Sequence, residues 1–145
     1  MKDVEDWVLN TLSKSSAVFA GLPPCPYAKK AWMEGKVDVK IFTTFERMEE
    51  DIKELKEVMI FRFGDISAKD LEDIAQRYNQ KYPDLLFLEE HPDLVEEFDG
   101  ININQGTAML LVQDRKDLEE AREKLKNTGY YDNWSEELKE RILNR

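Results

Sequence analysis

Val58-Met59-Ile60-Phe61-Arg62-Phe63 is apolar apart from one arginine, and a run of that length predicts a central strand covered on both faces. Ser67-x-x-Asp70 follows as a helix start, with Leu71, Ile74, Ala75 and Tyr78 as an inward stripe at helical spacing. Pro83 bars any extension, and Leu85 to Leu88 predicts the next strand. Strands joined through helices are usually parallel with right-handed crossovers, so this stretch argues for an α/β sheet.

The same grammar extends toward the N-terminus. Val37 to Phe42 alternates apolar and charged residues at period two, the pattern of a strand with one face buried. Thr43-x-x-Glu46 has the form of a capping box, followed by Met48, Ile52 and Leu55 on one helical face. Earlier still, Asp3 reads as the N-cap of an amphipathic helix carrying Val4, Trp7, Val8 and Leu12. Ser13 to Ser16 ends it. Pro23 and Pro24 forbid helix before Cys25, whereas Pro26 suits the first position of a helix over Tyr27 to Glu34, closed by Gly35.

Toward the C-terminus, Glu89-Glu90-His91-Pro92-Asp93 reads as a charged turn leaving the sheet and Asp93 to Phe98 as a short helical turn. Gly100 to Gly106 reads as a loop and Ala108 to Val112 as a fourth buried strand. Asp114-x-x-Asp117 caps a helix with Leu118, Ala121 and Leu125 inward and Gly129 beyond its end; Ser135 starts a last helix with Leu138 and Ile142. The expectation is one α/β (α+β) domain over residues 1–145, a four-stranded mixed or partly parallel sheet packed by helices. Its order is α-α-β-α-β-α-β-β-α-α, with the pairing of the fourth strand left open.

Composition narrows the partners. The formal net charge of −10 repels phosphate backbones, which argues against nucleic acid and for solubility or a basic partner. A single cysteine allows no internal disulfide, so a reducing, cytoplasmic setting is expected. No signal-peptide run and no long apolar segment is visible, so no membrane is expected either.

Chemistry-bearing residues are few. Cys25 at a helix start lies near free N–H groups, the positive end of the helix dipole, Lys29 and Lys30, all of which favour a thiolate; it is also of the size and type of a buried small hydrophobe. His91, the only histidine, follows a predicted strand end, where ligands bind in parallel sheets; the other reading is a histidine that fixes the turn before Pro92. Glu89, Glu90, His91 and Asp93 offer mixed oxygen and nitrogen ligands, yet their spacing matches no metal motif. In the loop before the fourth strand, Asn102, Asn104 and Gln105 can donate and accept hydrogen bonds, but there is no phosphate-loop signature. Tyr130, Tyr131 and Trp134 form an aromatic cluster that reads as core or docking surface. No motif specifies a cofactor.

Taken together, the Trp7 helix, Cys25-Pro26-Tyr27-Ala28, Gly35-x-Val37 and His91-Pro92-Asp93 resemble an uncharacterised bacterial domain-of-unknown-function family. Its members carry Leu-Cys-Pro-Phe-Ala after an N-terminal amphipathic helix and a His-Pro-Asp further on. The resemblance covers roughly the first hundred residues. Pro24 stands where the family has an apolar residue, Tyr27 replaces phenylalanine, and the chain after Gly100 has no counterpart. The resemblance implies that Cys25 and His91 share a site and supplies no reaction.

Three functions follow as expectations. In the first, Cys25 is a nucleophilic or redox-active thiol, His91 its base or a substrate-orienting donor, and Asp93 or Glu90 the group that fixes the imidazole. The second is an acidic module that binds a small ligand or protein partner without catalysis. The third is divalent metal capture by His91 and its neighbouring carboxylates.

Overall fold

The apolar run at 58–63 forms a strand covered on both faces in the computed structural model, which describes residues 2–12, 27–94, 97–98, 101–102, 107–132, 134, 136 and 139–140. The elements are α1 (Lys2–Asp6), a π-turn (Trp7–Thr11), α2 (Ala28–Met33), β1 (Val37–Ile41), α3 (Phe45–Ile52), β2 (Val58–Arg62), α4 (Ala68–Lys81) and β3 (Leu85–Glu90). They continue with β4 (Glu97–Phe98), β5 (Ile101–Asn102), β6 (Met109–Asp114) and α5 (Arg115–Lys126).

The main sheet has the order β1-β2-β6-β3. β1 and β2 are parallel, and β6 runs antiparallel between β2 and β3, which makes the sheet mixed. Alternate residues of β2 face opposite layers. Met59 and Phe61 join Met48, Ile52, Leu71, Ile74, Ala75, Tyr78, Phe87, Leu110 and Val112 beneath α3 and α4. Ile60 and Met109 face the other way, against Val4, Trp7 and Val8, with Val37, Val39, Ala28 and Trp32 around them. Both crossover helices lie on one face, as two same-handed crossovers in one direction require. The N-terminal helices cover the other.

Local chemistry sets most boundaries. Ser67 Oγ accepts from Asp70 N at 3.1 Å and Asp114 Oδ1 from Asp117 N at 3.0 Å, so both expected caps form. The cap of α3 is Thr44, one residue later than expected: its Oγ1 accepts from Arg47 N at 3.1 Å, which leaves Thr43 in the connection after β1. The first helix is already wound at Lys2, so Asp3 lies inside it and not at its cap, and after Asp6 the chain widens to a π-turn in which Leu12 N reaches Trp7 O at 2.9 Å. Gly35 follows α2 at φ 69°, a left-handed conformation suited to glycine.

Three expectations near the third strand are corrected. β3 continues to Glu90, so Glu89 and Glu90 are buried strand residues and not part of a turn, because β6 pairs with them as far as Met109. Glu97–Phe98 is extended and pairs with Ile101–Asn102 in a small antiparallel hairpin, where a helical turn and a loop were expected. The fourth strand starts at Met109 and ends at Asp114, which is also the helix cap. On α5, Leu125 is buried while Leu118 and Ala121 are half-buried. Ser135, Leu138 and Ile142 lie outside the described residues.

The outer edge of β3 is occupied at Leu85 and Phe87. Asn79 on α4 donates its Nδ2 to Phe87 O at 3.0 Å and accepts from Phe87 N at 2.7 Å, as a neighbouring strand would. Leu85 N reaches Tyr82 O at 3.0 Å, and Arg115 Nη2 reaches Leu85 O at 3.3 Å. Unpaired edges template association, and these contacts occupy this one at Leu85 and Phe87.

Between α3 and α4, Glu49 accepts from Lys81 Nζ and from Tyr82 Oη, the latter at 2.7 Å. The Lys81 bond first, then the Tyr82 bond, hold the Glu49 carboxyl below its ordinary value. A lowered native value stabilises the fold above the ordinary glutamate range, near about 4.3, and that contribution is lost as pH falls through the native value. Glu49→Gln should therefore lower the melting temperature at neutral pH, with the gap from the parent protein closing below about pH 4. Thermal melts across a pH series test this, and a gap that widens in acid would refute it.

Candidate functional site

Three loops meet where β1, β2 and β3 end and β6 begins. Beyond β2, Phe63 N bonds Ala108 O at 2.9 Å and holds the 63–67 loop beside the approach to β6. Beyond β3 the chain turns at His91, with Leu94 N on His91 O at 3.0 Å. Between these loops and Thr107 opens a cleft of about 520 Å³, within the size range of small-ligand sites. It lies at the carboxyl ends of the parallel strands, the usual ligand position in such sheets.

His91 forms one wall and is buried. Its Nε2 lies 2.6 Å from Ile66 O, and Asp93 N donates to its Nδ1 at 3.1 Å. A carbonyl can only accept and an amide N–H can only donate, so these partners assign the proton to Nε2 and leave Nδ1 as the acceptor. The ring thus ties the loop after β2 to the turn after β3. Asp93 fixes the imidazole through its main chain, since its carboxylate Oδ2 stands 3.9 Å from Nδ1 and faces solvent.

Of the sequence-predicted residues, His91 and Asp93 line the cleft. Asn102 is on β5, while Cys25, Asn104 and Gln105 lie outside the described residues. Glu89 and Glu90 are successive strand residues, so their side chains leave opposite faces and do not converge on His91. Among the described residues no group of three or more His, Cys, Asp or Glu side chains is arranged to hold a metal ion. No helix among them is long and apolar enough to cross a membrane.

Asp65, Ile66 and Thr107 line the cleft without having been singled out in the sequence, and Ser67 lines it although it was read only as a helix start. The available signal was position: Asp65 and Ser67 follow the apolar run at its carboxyl end, where the loops of a parallel sheet carry ligand contacts. Tyr130, Tyr131 and Trp134 pack on one another, with edge contacts of 4.9 Å from Tyr131 to each of the others. Tyr130 and Trp134 are buried, so this cluster is largely interior packing.

Comparisons with protein-family models, with curated proteins and with solved structures find no match to this chain.

Proposed function

We propose that the chain is a cytoplasmic, non-catalytic binding domain whose site is the His91 cleft and whose ligand is a small cation, an amine or guanidinium on a short apolar body. The observation that carries this reading is the lining. Asp65 and Asp93, whose carboxylates stand on its solvent side, and two hydroxyl residues, Ser67 and Thr107, line the cleft with Phe63, Ile66, Pro92 and Ala108, and none of the described lining residues is a lysine or arginine. Apolar walls with a few polar groups suit a small ligand, and the acidic pair at the solvent side sets its charge. Binding is favoured over proton transfer because both His91 ring nitrogens are engaged by main-chain groups. The net charge of −10 weighs against nucleic acid as the partner.

Amide chemical shifts of the full chain, titrated with n-butylamine and methylguanidine and with butyrate as control, test the reading. Both cations should move the signals of residues 64–67, 91–93 and 107, and butyrate should not. Loss of one charge-assisted contact is worth roughly tenfold or more, so Asp93→Asn should weaken binding by about tenfold. Equal response to butyrate, or shifts confined elsewhere, would overturn it.

A further inference from the structure

The two edges of the main sheet are treated differently. At β3 the outward groups of Leu85 and Phe87 are taken by Tyr82, Asn79 and Arg115. At β1 no described residue takes them. Val58 N bonds Lys36 O and Phe42 N bonds Arg62 O, so the even-numbered residues of this strand point their main-chain groups at β2. Val37, Val39 and Ile41 therefore direct an N–H and a C=O each outward, and β1 pairs with no other strand among the described residues. Ile41 is 66% exposed there.

We propose that β1 pairs antiparallel with β1 of a second copy of this chain, centred on Val39 against Val39. The strand is self-complementary in that register. Val37 meets Ile41 of the other copy, so outward-pointing residues oppose one another and exchange main-chain hydrogen bonds as antiparallel pairs do. Asp38 meets Lys40 of the other copy, and Lys40 meets its Asp38. Asp38 has only a 3.9 Å approach to the exposed Lys56, and Lys40 makes no ion pair among the described residues.

The charges also exclude the neighbouring registers. Pairing must match odd residues with odd ones, so the register shifts in steps of two residues. One step sets Asp38 against Asp38 and Lys36 against Lys40; the other sets Lys40 against Lys40. Like charges directly opposite are destabilising, which leaves the Val39-centred pairing as the favoured one. A lone edge lysine would only discourage association, but its placement two residues from an aspartate makes it specific. The contact is isologous and closed, joining two four-stranded sheets into one eight-stranded sheet.

Sedimentation velocity over a concentration series decides the matter, with circular dichroism to confirm that each variant is folded. The parent chain should rise from 17.1 kDa toward twice that mass as concentration increases. Asp38→Lys and Lys40→Asp each place two like-charged pairs in the interface and should weaken self-association by about tenfold. Mixing the two variants restores opposite charges at both positions and should restore the dimer, as should combining both substitutions in one chain. A parent chain that stays monomeric at its highest soluble concentration overturns the proposal. So does a dimer that survives either single substitution, or variants that dissociate but do not recover on mixing.

Discussion

Phe87→Ala should lower the unfolding free energy by about 3–5 kcal/mol, the range for truncating a fully buried aromatic ring. Phe87 has no exposed surface, faces Val112 across β6, and lies 5.4 Å and 6.2 Å from the Tyr78 and Tyr82 rings by centroid. These rings belong to a belt running through Phe45 to Phe42 and Phe63, so the void would open beside stiff aromatic walls that relax poorly. Total stability of a small domain is about 5–15 kcal/mol, so the variant should unfold at much lower urea concentration. Phe87→Leu retains most of the volume and should lose less. A loss below about 1 kcal/mol for the alanine variant would place the core elsewhere.

Asn79→Ala should cost about 1–3 kcal/mol, since it strands the N–H and C=O of Phe87 on the sheet edge. The side chain serves as a one-residue strand, so its removal also uncovers a template for association. Asn79→Asp should give no rescue, because it sets a carboxylate oxygen against the Phe87 carbonyl. Urea unfolding and light scattering read the two effects separately. Unchanged stability with no rise in scattering would show that the edge does not depend on Asn79.

Elements with local chemistry were legible in the sequence. Ser67 and Asp114 caps and the apolar run at Val58 announce themselves within a few residues, and all three form as expected. The α3 cap slipped by one because Glu46 favoured Thr43 while adjacent Thr44 offers the same hydroxyl. Strand order was not legible, because it is decided by pairing between distant segments such as Val58 with Gln113. Nor was the length of β3: two glutamates read as a charged turn, and only the distant pairing with β6 makes them strand residues.

At the site, His91 was legible as a strand-end residue. Its ring partner Ile66 O lies on a separate loop and carries no side-chain signal, so the tie between the two loops could only come from the fold.

The position of β6 has a consequence for synthesis. Among the described residues it is the last strand made and is inserted between two made earlier, so β2 and β3 have no direct partner in one another. Until Met109–Asp114 leaves the ribosome, Val58–Arg62 and Leu85–Glu90 each keep an open edge flanking a gap one strand wide. The nascent chain therefore has no resting stage with a closed sheet, and any truncation before Met109 should yield an aggregation-prone fragment and not a smaller domain.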